Sequence, residues 1–304
     1  NNGRALWKSD GTASGTVMVK DTSSTSTCTS PLNDLTAVGN TLYFEAYDQT
    51  NGYELWKSDG TSSGTVMVKD INPGSDYSNP GYLTVFNNEL YFRAYDGTNG
   101  YELWKSDGTS SGTVMVKDIN SGSSDSSPNY LTTIGNTLYF RATDGTNGFE
   151  LWKSDGTASG TVMVKDIRSG SSSSSPNDLT AVGNTLYFEA QDGTNGYELW
   201  KSDGTATGTV MVKDIYSGSS DSSPYFFTAM GNTLYFRADD GTNGVELWKS
   251  DGTTSGTVMV KDINSGSSSS SPTYLTAVGN TLYFSADDGT NGKELWKSDG
   301  TASG

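Results

Sequence analysis

The sequence predicts an all-β fold, a six-bladed β-propeller of four-stranded antiparallel blades closed by its N-terminal strand. Three observations predict it. First, the stretch Glu-Leu-Trp-Lys-Ser-Asp-Gly-Thr recurs intact at 54–61, 102–109, 150–157, 198–205, 246–253 and 294–301, and with Ala5 in place of Glu at 5–12. Its tryptophans, Trp7, Trp56, Trp104, Trp152, Trp200, Trp248 and Trp296, are the seven in the chain, separated once by 49 residues and five times by 48. A fixed period of this length marks a repeat architecture in which each unit packs on its neighbours. Second, every period holds short runs of strand formers separated by Gly-rich turns, with no helical periodicity. Third, both faces of these strands carry large side chains. A sheet with one face in water would show a polar face, so each sheet is expected between two others, as radial blades are.

An interior copy, 128–170, shows the elements in order. Leu131-Thr132-Thr133-Ile134 is a short first strand, followed by the turn signal Gly135-Asn136. The second strand is Thr137 to Ala142, rich in Leu, Tyr and Phe. Asp144-Gly145-Thr146-Asn147-Gly148 turns into the third strand, Phe149 to Ser154. Asp155 to Gly160 turns again, and Thr161 to Ile167 is the fourth strand. Leu138 and Phe140 share one face while Tyr139 and Arg141 share the other. Linkers such as 120–128 are Ser-rich yet constant in length, which suits a crossing from the outer edge of one blade to the inner strand of the next.

The strand counts bear on closure. The Leu-Tyr-Phe and Val-Met-Val strands each occur six times, the Trp strand seven times. The last copy lacks a Val-Met-Val strand, which exists at the other end as Val17 to Asp21. Residues 1–304 are therefore expected to form one domain, with 1–21 completing the blade formed by 272–304; such closure removes exposed sheet edges. The surplus Trp strand makes self-association by strand exchange an expectation as well. A seven-bladed ring would lack two inner strands in its last blade, and an open stack would lack caps.

The chain has 19 Lys plus Arg, 35 Asp plus Glu and no His, a net charge of −16. Nucleic-acid binding needs a basic surface to displace counterions, so nucleic acid is not an expected partner. An anionic membrane surface is disfavoured for the same reason, and no apolar run is long enough for membrane insertion. The single cysteine, Cys28, has no internal disulfide partner and sits in a Ser/Thr-rich linker. No signal peptide is recognisable, and a chain that begins at Asn1 and stops inside a repeat reads as a mature or excised piece.

Three features bear on function. The repeated tryptophans sit mid-strand, where a large aromatic packs; they read as structural wedges between blades in preference to sugar-stacking platforms. The Asp-Gly-Thr-Asn-Gly turns, with Asp96, Asp144, Asp192, Asp240 and Asp288, gather oxygens of the kind Ca²⁺ takes. Turn chemistry favours the same residues for backbone reasons alone. The third feature is where the copies disagree, since blade packing does not dictate those positions. Before the motif the chain reads Arg4, Tyr53, Tyr101, Phe149, Tyr197, Val245 and Lys293. After Leu-Tyr-Phe it reads Glu45, Arg93, Arg141, Glu189, Arg237 and Ser285. Entering the first strand it reads Asp34, Tyr82, Tyr130, Asp178, Phe226 and Tyr274. Tyr53, Tyr101, Phe149, Tyr197, Arg93, Arg141 and Arg237 are the candidate ligand-binding residues. No catalytic residue is assigned: an active site needs groups in different environments, and near-identical repeats supply one environment many times.

The pattern Glu-Leu-Trp-x-x-Asp-Gly-Thr-x-x-Gly-Thr, complete in copies such as 246–257, resembles the bacterial ELWxxDGT repeat family; the first copy departs from it at Ala5. The resemblance spans essentially the whole chain and implies a propeller-like repeat protein that is extracellular or at the cell surface. It implies no catalytic residues. The Ser-Asp-Gly-Thr hairpin also resembles the Asp-box turn of sialidase-type propellers, with a different spacing. The expectation is a non-enzymatic binding or adhesion module with repeated equivalent sites, for glycans or other surface proteins. A structural protein assembling through its terminal Trp strands is the alternative, and a propeller-type hydrolase a distant third.

Overall fold

The computed structural model describes residues 5–21 and 32–304. Arg4 and Cys28 lie outside the described residues. The strands are β1 (Leu6–Lys8), β2 (Val17–Lys20), β3 (Asn33–Val38), β4 (Thr41–Asp48), β5 (Gly52–Ser58), β6 (Val66–Lys69), β7 (Gly81–Phe86), β8 (Glu89–Tyr95), β9 (Tyr101–Ser106), β10 (Val114–Lys117), β11 (Asn129–Ile134) and β12 (Thr137–Thr143). They continue as β13 (Phe149–Ser154), β14 (Val162–Lys165), β15 (Asn177–Val182), β16 (Thr185–Gln191), β17 (Tyr197–Ser202), β18 (Val210–Lys213), β19 (Tyr225–Met230), β20 (Thr233–Asp239), β21 (Val245–Ser250), β22 (Val258–Lys261), β23 (Thr273–Val278), β24 (Thr281–Asp287) and β25 (Lys293–Ser298). The described residues contain no helix, as the sequence predicts.

The chain divides into two compact units, 1–145 with 154–162, and 146–153 with 163–304. In the first, β3 to β6 and β7 to β10 form four-stranded antiparallel sheets in chain order, preceded by the two-stranded sheet β1-β2 and followed by the hairpin β11-β12. In the second, β15 to β18 and β19 to β22 form four-stranded sheets, and β23 to β25 form a three-stranded one. The sequence places Val17 to Asp21 on the edge of the last blade. Within the first unit β2 pairs with β1, with Trp7 opposite Met18. The hairpin turn between them is the one that joins third and fourth strands in every repeat, and a short local loop costs less entropy to close than a long one.

The core is built by one contact repeated. Tyr43, Leu55, Val68 and Ile71 on one face of the first full sheet bury against Leu90, Phe92, Ala94 and Trp104 of the next. In the second unit Tyr187, Leu199, Val212 and Ile215 pack in the same way on Leu234, Phe236, Ala238 and Trp248. Phe92 and Leu103 are fully buried on opposite faces of adjacent strands, so both faces of an interior sheet are core. Lysines tie the sheets at their edges: Lys69 Nζ donates to Thr113 O at 2.8 Å and lies 5.6 Å from the Trp104 ring.

Candidate ligand-binding site

The repeated motif is consumed by structure, residue by residue. In the second full repeat Glu102 is completely buried. Its carboxylate accepts from Ile119 N (2.9 Å), Ser126 N (3.1 Å) and Ser126 Oγ (2.6 Å), which pins the linker to its own blade. Burial raises its pKa to about 7, against those donors, which pull it down. Trp104 is 6% exposed. Lys57 of the preceding repeat donates to Gly108 O at 2.8 Å. Asp107 Oδ1 accepts from Thr109 N and Thr109 Oγ1, and Thr109 Oγ1 in turn accepts from Gly112 N. A Cβ on Gly112 would run into the Asp107 carboxylate, and one on Gly108 into the Tyr43 hydroxyl. The Asp, both Gly and the Thr of the hairpin are therefore specified by packing or by hydrogen bonds inside the protein.

The tryptophans follow the same logic where a repeat precedes them. Trp56, Trp104, Trp152, Trp200 and Trp248 are buried. Trp7 departs from the packing expectation at 58% exposed. Trp296 is half-buried and donates Nε1 to Ala286 O at 3.1 Å.

The Asp-Gly-Thr-Asn-Gly carboxylates are taken up by their own turns. Asp96 Oδ1 accepts from Thr98 N (2.9 Å) and Asn99 N (2.7 Å), and Oδ2 from Asn99 Nδ2 (2.8 Å). Asp192, Asp240 and Asp288 repeat this pattern, and Asp144 stands at the same position of its repeat. These bonds lower the pKa of Asp288. Among the described residues no three His, Cys, Asp or Glu converge as a metal site.

The divergent positions lie together. The residue opening each first strand faces, across the ladder, the residue that follows Leu-Tyr-Phe: Asn33 with Glu45, Gly81 with Arg93, Asn177 with Glu189, Tyr225 with Arg237 and Thr273 with Ser285. A register shift follows immediately in each of these pairs. The residue held in that bulge has positive φ in every repeat: Asp34 54°, Tyr82 59°, Tyr130 56°, Asp178 52°, Phe226 60° and Tyr274 58°. Bulky residues avoid the left-handed region, and such strain gathers at functional sites. The bulge also turns the ring toward the neighbouring arginine. Arg93 Cζ lies 4.9 Å from both the Tyr82 and the Tyr101 rings. Arg141 Cζ lies 5.0 Å from Tyr130, and Arg237 Cζ 4.8 Å from Phe226.

Of the residues predicted from sequence, the structure brings Arg93 and Tyr101 into one stack, with Asn79 Nδ2 donating to the Tyr101 hydroxyl at 2.9 Å. Arg141 and Arg237 stack on bulge aromatics of their own first strands. Tyr53 joins a separate group with Tyr47 and Tyr77, at 5.1 and 5.3 Å between ring centroids. Tyr197 accepts from Gln191 Nε2 at 3.0 Å, and Phe149 is half-buried beside Ser173. The bulge residues Tyr82, Tyr130 and Phe226 stand against these candidate arginines but are not among the residues assigned from sequence, although their divergence between copies is visible there. Two cavities of the first unit adjoin at Asn79: one of 680 Å³ with Tyr77, Tyr95, Tyr101 and Asp125, and one of 470 Å³ with Asn33, Asp34, Glu45, Gly81, Tyr82 and Arg93.

No family model matches the sequence, and no curated protein matches it. Solved structures do resemble the fold. The computationally designed Ika8 protein aligns with a TM-score of 0.52 at 18% identity over 94% of this chain and 75% of its own. A prolyl endopeptidase aligns at 0.54 and 13% identity over 89% of this chain, and a puromycin hydrolase S511A mutant at 0.52 and 14% over 86%. This chain spans 42% of the length of each of these two. With the repeated four-stranded antiparallel sheets, these likenesses place the fold in the β-propeller class.

Proposed function

We propose that this chain is a non-enzymatic binding module of the ELWxxDGT repeat type, acting outside the cell or at its surface, and that it binds glycans through the divergent positions of its repeats. The observation that carries the reading is the guanidinium of Arg93 stacked on both Tyr82 and Tyr101 beside two cavities, with Tyr82 held on left-handed backbone. Half-exposed aromatic faces suit the apolar faces of a pyranose, while Arg, Asn and carboxylate groups supply donors and acceptors for its hydroxyls. The net charge of −16 favours neutral over polyanionic saccharides. Several weak sites on one chain would gain through avidity. Arg93→Ala and Tyr101→Ala are expected to weaken binding of a neutral oligosaccharide at least tenfold in calorimetry, with folding retained. An absence of any saccharide binding across a glycan array, or binding unchanged in both variants, would refute the reading.

A second reading rests on the terminal repeats. Leu295 is 78% exposed where its counterpart Leu247 is 1% exposed, and β1-β2 supply only the outer pair of strands of a blade. A second copy of this chain supplies faces of the matching chemistry, so the alternative is assembly by strand exchange. Light scattering at rising concentration would show growth beyond the monomer, reduced by Leu295→Glu; a strict monomer at high concentration would end this alternative.

A further inference from the structure

The divergent positions have an order of their own: they recur every third copy. The bulge residues read Asp34, Tyr82, Tyr130 and then Asp178, Phe226, Tyr274. The residues after Leu-Tyr-Phe read Glu45, Arg93, Arg141 and then Glu189, Arg237, Ser285. Geometry recurs with composition, each time inside one of the two units. Asp34 Oδ2 accepts from Tyr82 N at 2.8 Å, and Asp178 Oδ2 from Phe226 N at 3.2 Å. Asn33 Nδ2 donates to Glu45 Oε2 at 2.8 Å, and Asn177 Nδ2 to Glu189 Oε2 at 3.2 Å. The Tyr82 and Tyr130 rings lie 6.4 Å apart, as do those of Phe226 and Tyr274. Each leading arginine meets two rings. Arg93 meets Tyr82 and Tyr101, and Arg237 meets Phe226 and Tyr225, at 4.8 and 5.7 Å.

Building the blade does not require this order. Tyr130 takes the same bulge conformation, φ 56°, although the copy before it has a tyrosine in its bulge and not an aspartate. An aspartate copy runs directly into an arginine-and-aromatic copy at two places in the chain, Asp34 before Tyr82 and Arg93, and Asp178 before Phe226 and Arg237. At both, a carboxylate is tied to the backbone that presents the ring. Each aspartate spends Oδ2 on that bond and keeps Oδ1 to accept from a ligand hydroxyl. Both places also show an open aromatic surface: Tyr82 is 40% exposed and Tyr225 41%.

We propose that Asp178, Tyr225, Phe226 and Arg237 form a second saccharide site, built like the one at Asp34, Tyr82, Arg93 and Tyr101 but weaker, so that the chain has two sites and not one in every repeat. The inference rests on the glycan reading and fixes the number and places of its sites. The sugar would lie with an apolar face on the Tyr225 ring and a hydroxyl on Asp178. The difference in strength follows from two substitutions between the halves. Gly81 lines the 470 Å³ cavity of the first site, whereas Tyr225 puts a ring at the same ladder position opposite Arg237. Val245 stands where the first site has Tyr101. The second site is therefore a platform with one ring fewer to enclose the ligand, and a ligand that is less enclosed is held less tightly.

The test is calorimetric titration of the full chain with the neutral trisaccharide that binds best on a glycan array. The unaltered chain is compared with Arg93→Ala, Arg237→Ala, Tyr225→Ala and the double variant Arg93→Ala/Arg237→Ala, and thermal melting is followed in parallel as the check on folding. The unaltered chain is expected to show two sites, the second at least tenfold weaker than the first. Arg93→Ala should leave the weak site alone, Arg237→Ala or Tyr225→Ala the tight one alone, and the double variant neither. Tyr225→Ala decides the matter if Arg237→Ala does not fold, because its ring is exposed. A single site that is lost in Arg93→Ala and untouched by Arg237→Ala and Tyr225→Ala would overturn the second site and leave the glycan reading standing. Three or more sites, or a weak site that survives both of those variants, would overturn it as well. No neutral saccharide bound on the array would overturn both.

Discussion

At the scale of single residues, regularity in this chain marks structure and divergence marks the candidate site. Trp104 is nearly buried under the Leu55 and Val68 face, so its truncation empties a large volume at a sheet-to-sheet contact. Trp104→Ala is expected to cost about 3–5 kcal/mol in denaturant unfolding. A loss below about 1 kcal/mol would mean that the ring is not part of the core. The packing role of the tryptophans was legible from their mid-strand position. The burial of Glu102 was not, because a glutamate before Leu-Trp gives no sign that three of its donors arrive from the linker some twenty residues downstream. Nor was the left-handed backbone at Tyr82 legible, since the usual residues for that region are Gly and Asn.

At the scale of the element, each blade carries two opposing carboxylate responses to pH. Burial raises Glu54, Glu102, Glu150 and Glu198 to about 7, above an ordinary value of 4.5. Between those values the folded chain holds protons that the unfolded chain has released, so stability falls as pH rises through that window. The hairpin aspartates Asp59, Asp107, Asp155, Asp203 and Asp251 are shifted below 3.8 by their Thr partners. Their contribution is present above that value and is lost as pH falls through the lowered one. The melting temperature is therefore expected to peak near pH 4, between the two ordinary carboxylate values, and to drop by several degrees toward pH 8.5. High salt should preserve most of the drop, since it screens surface repulsion more than buried desolvation. A melting temperature that is flat or rises from pH 5 to 8.5 would contradict the buried-glutamate account. Strand positions and turns were legible from the alternation and the Gly signals. The pairing of β2 was not, because its sequence is identical in every copy and fits any blade edge; the adjacent β1 decides it.

At the scale of the molecule, the repeat explains both the economy of the fold and the placement of the site. One sheet-to-sheet contact, used again and again, buries two faces of each interior blade and leaves the strand-entering bulges free to vary. The period was legible from the tryptophans, and the strand count of a repeat from its turn signals. The meeting of Arg93 with Tyr82 and Tyr101 was not, since it depends on a register shift that no spacing reveals. The central claim is that the constant motif builds the blade and the divergent positions bind the ligand. The most direct test is an NMR chemical-shift map of the labelled chain titrated with the neutral oligosaccharide that binds best on a glycan array. The account predicts saturable shifts at Asn33, Asp34, Asn79, Gly81, Tyr82, Arg93 and Tyr101, with the buried tryptophan indoles and the Asp-Gly-Thr hairpins unmoved. Shifts centred on the hairpins or the tryptophan strands, or none at saturating sugar, would contradict it.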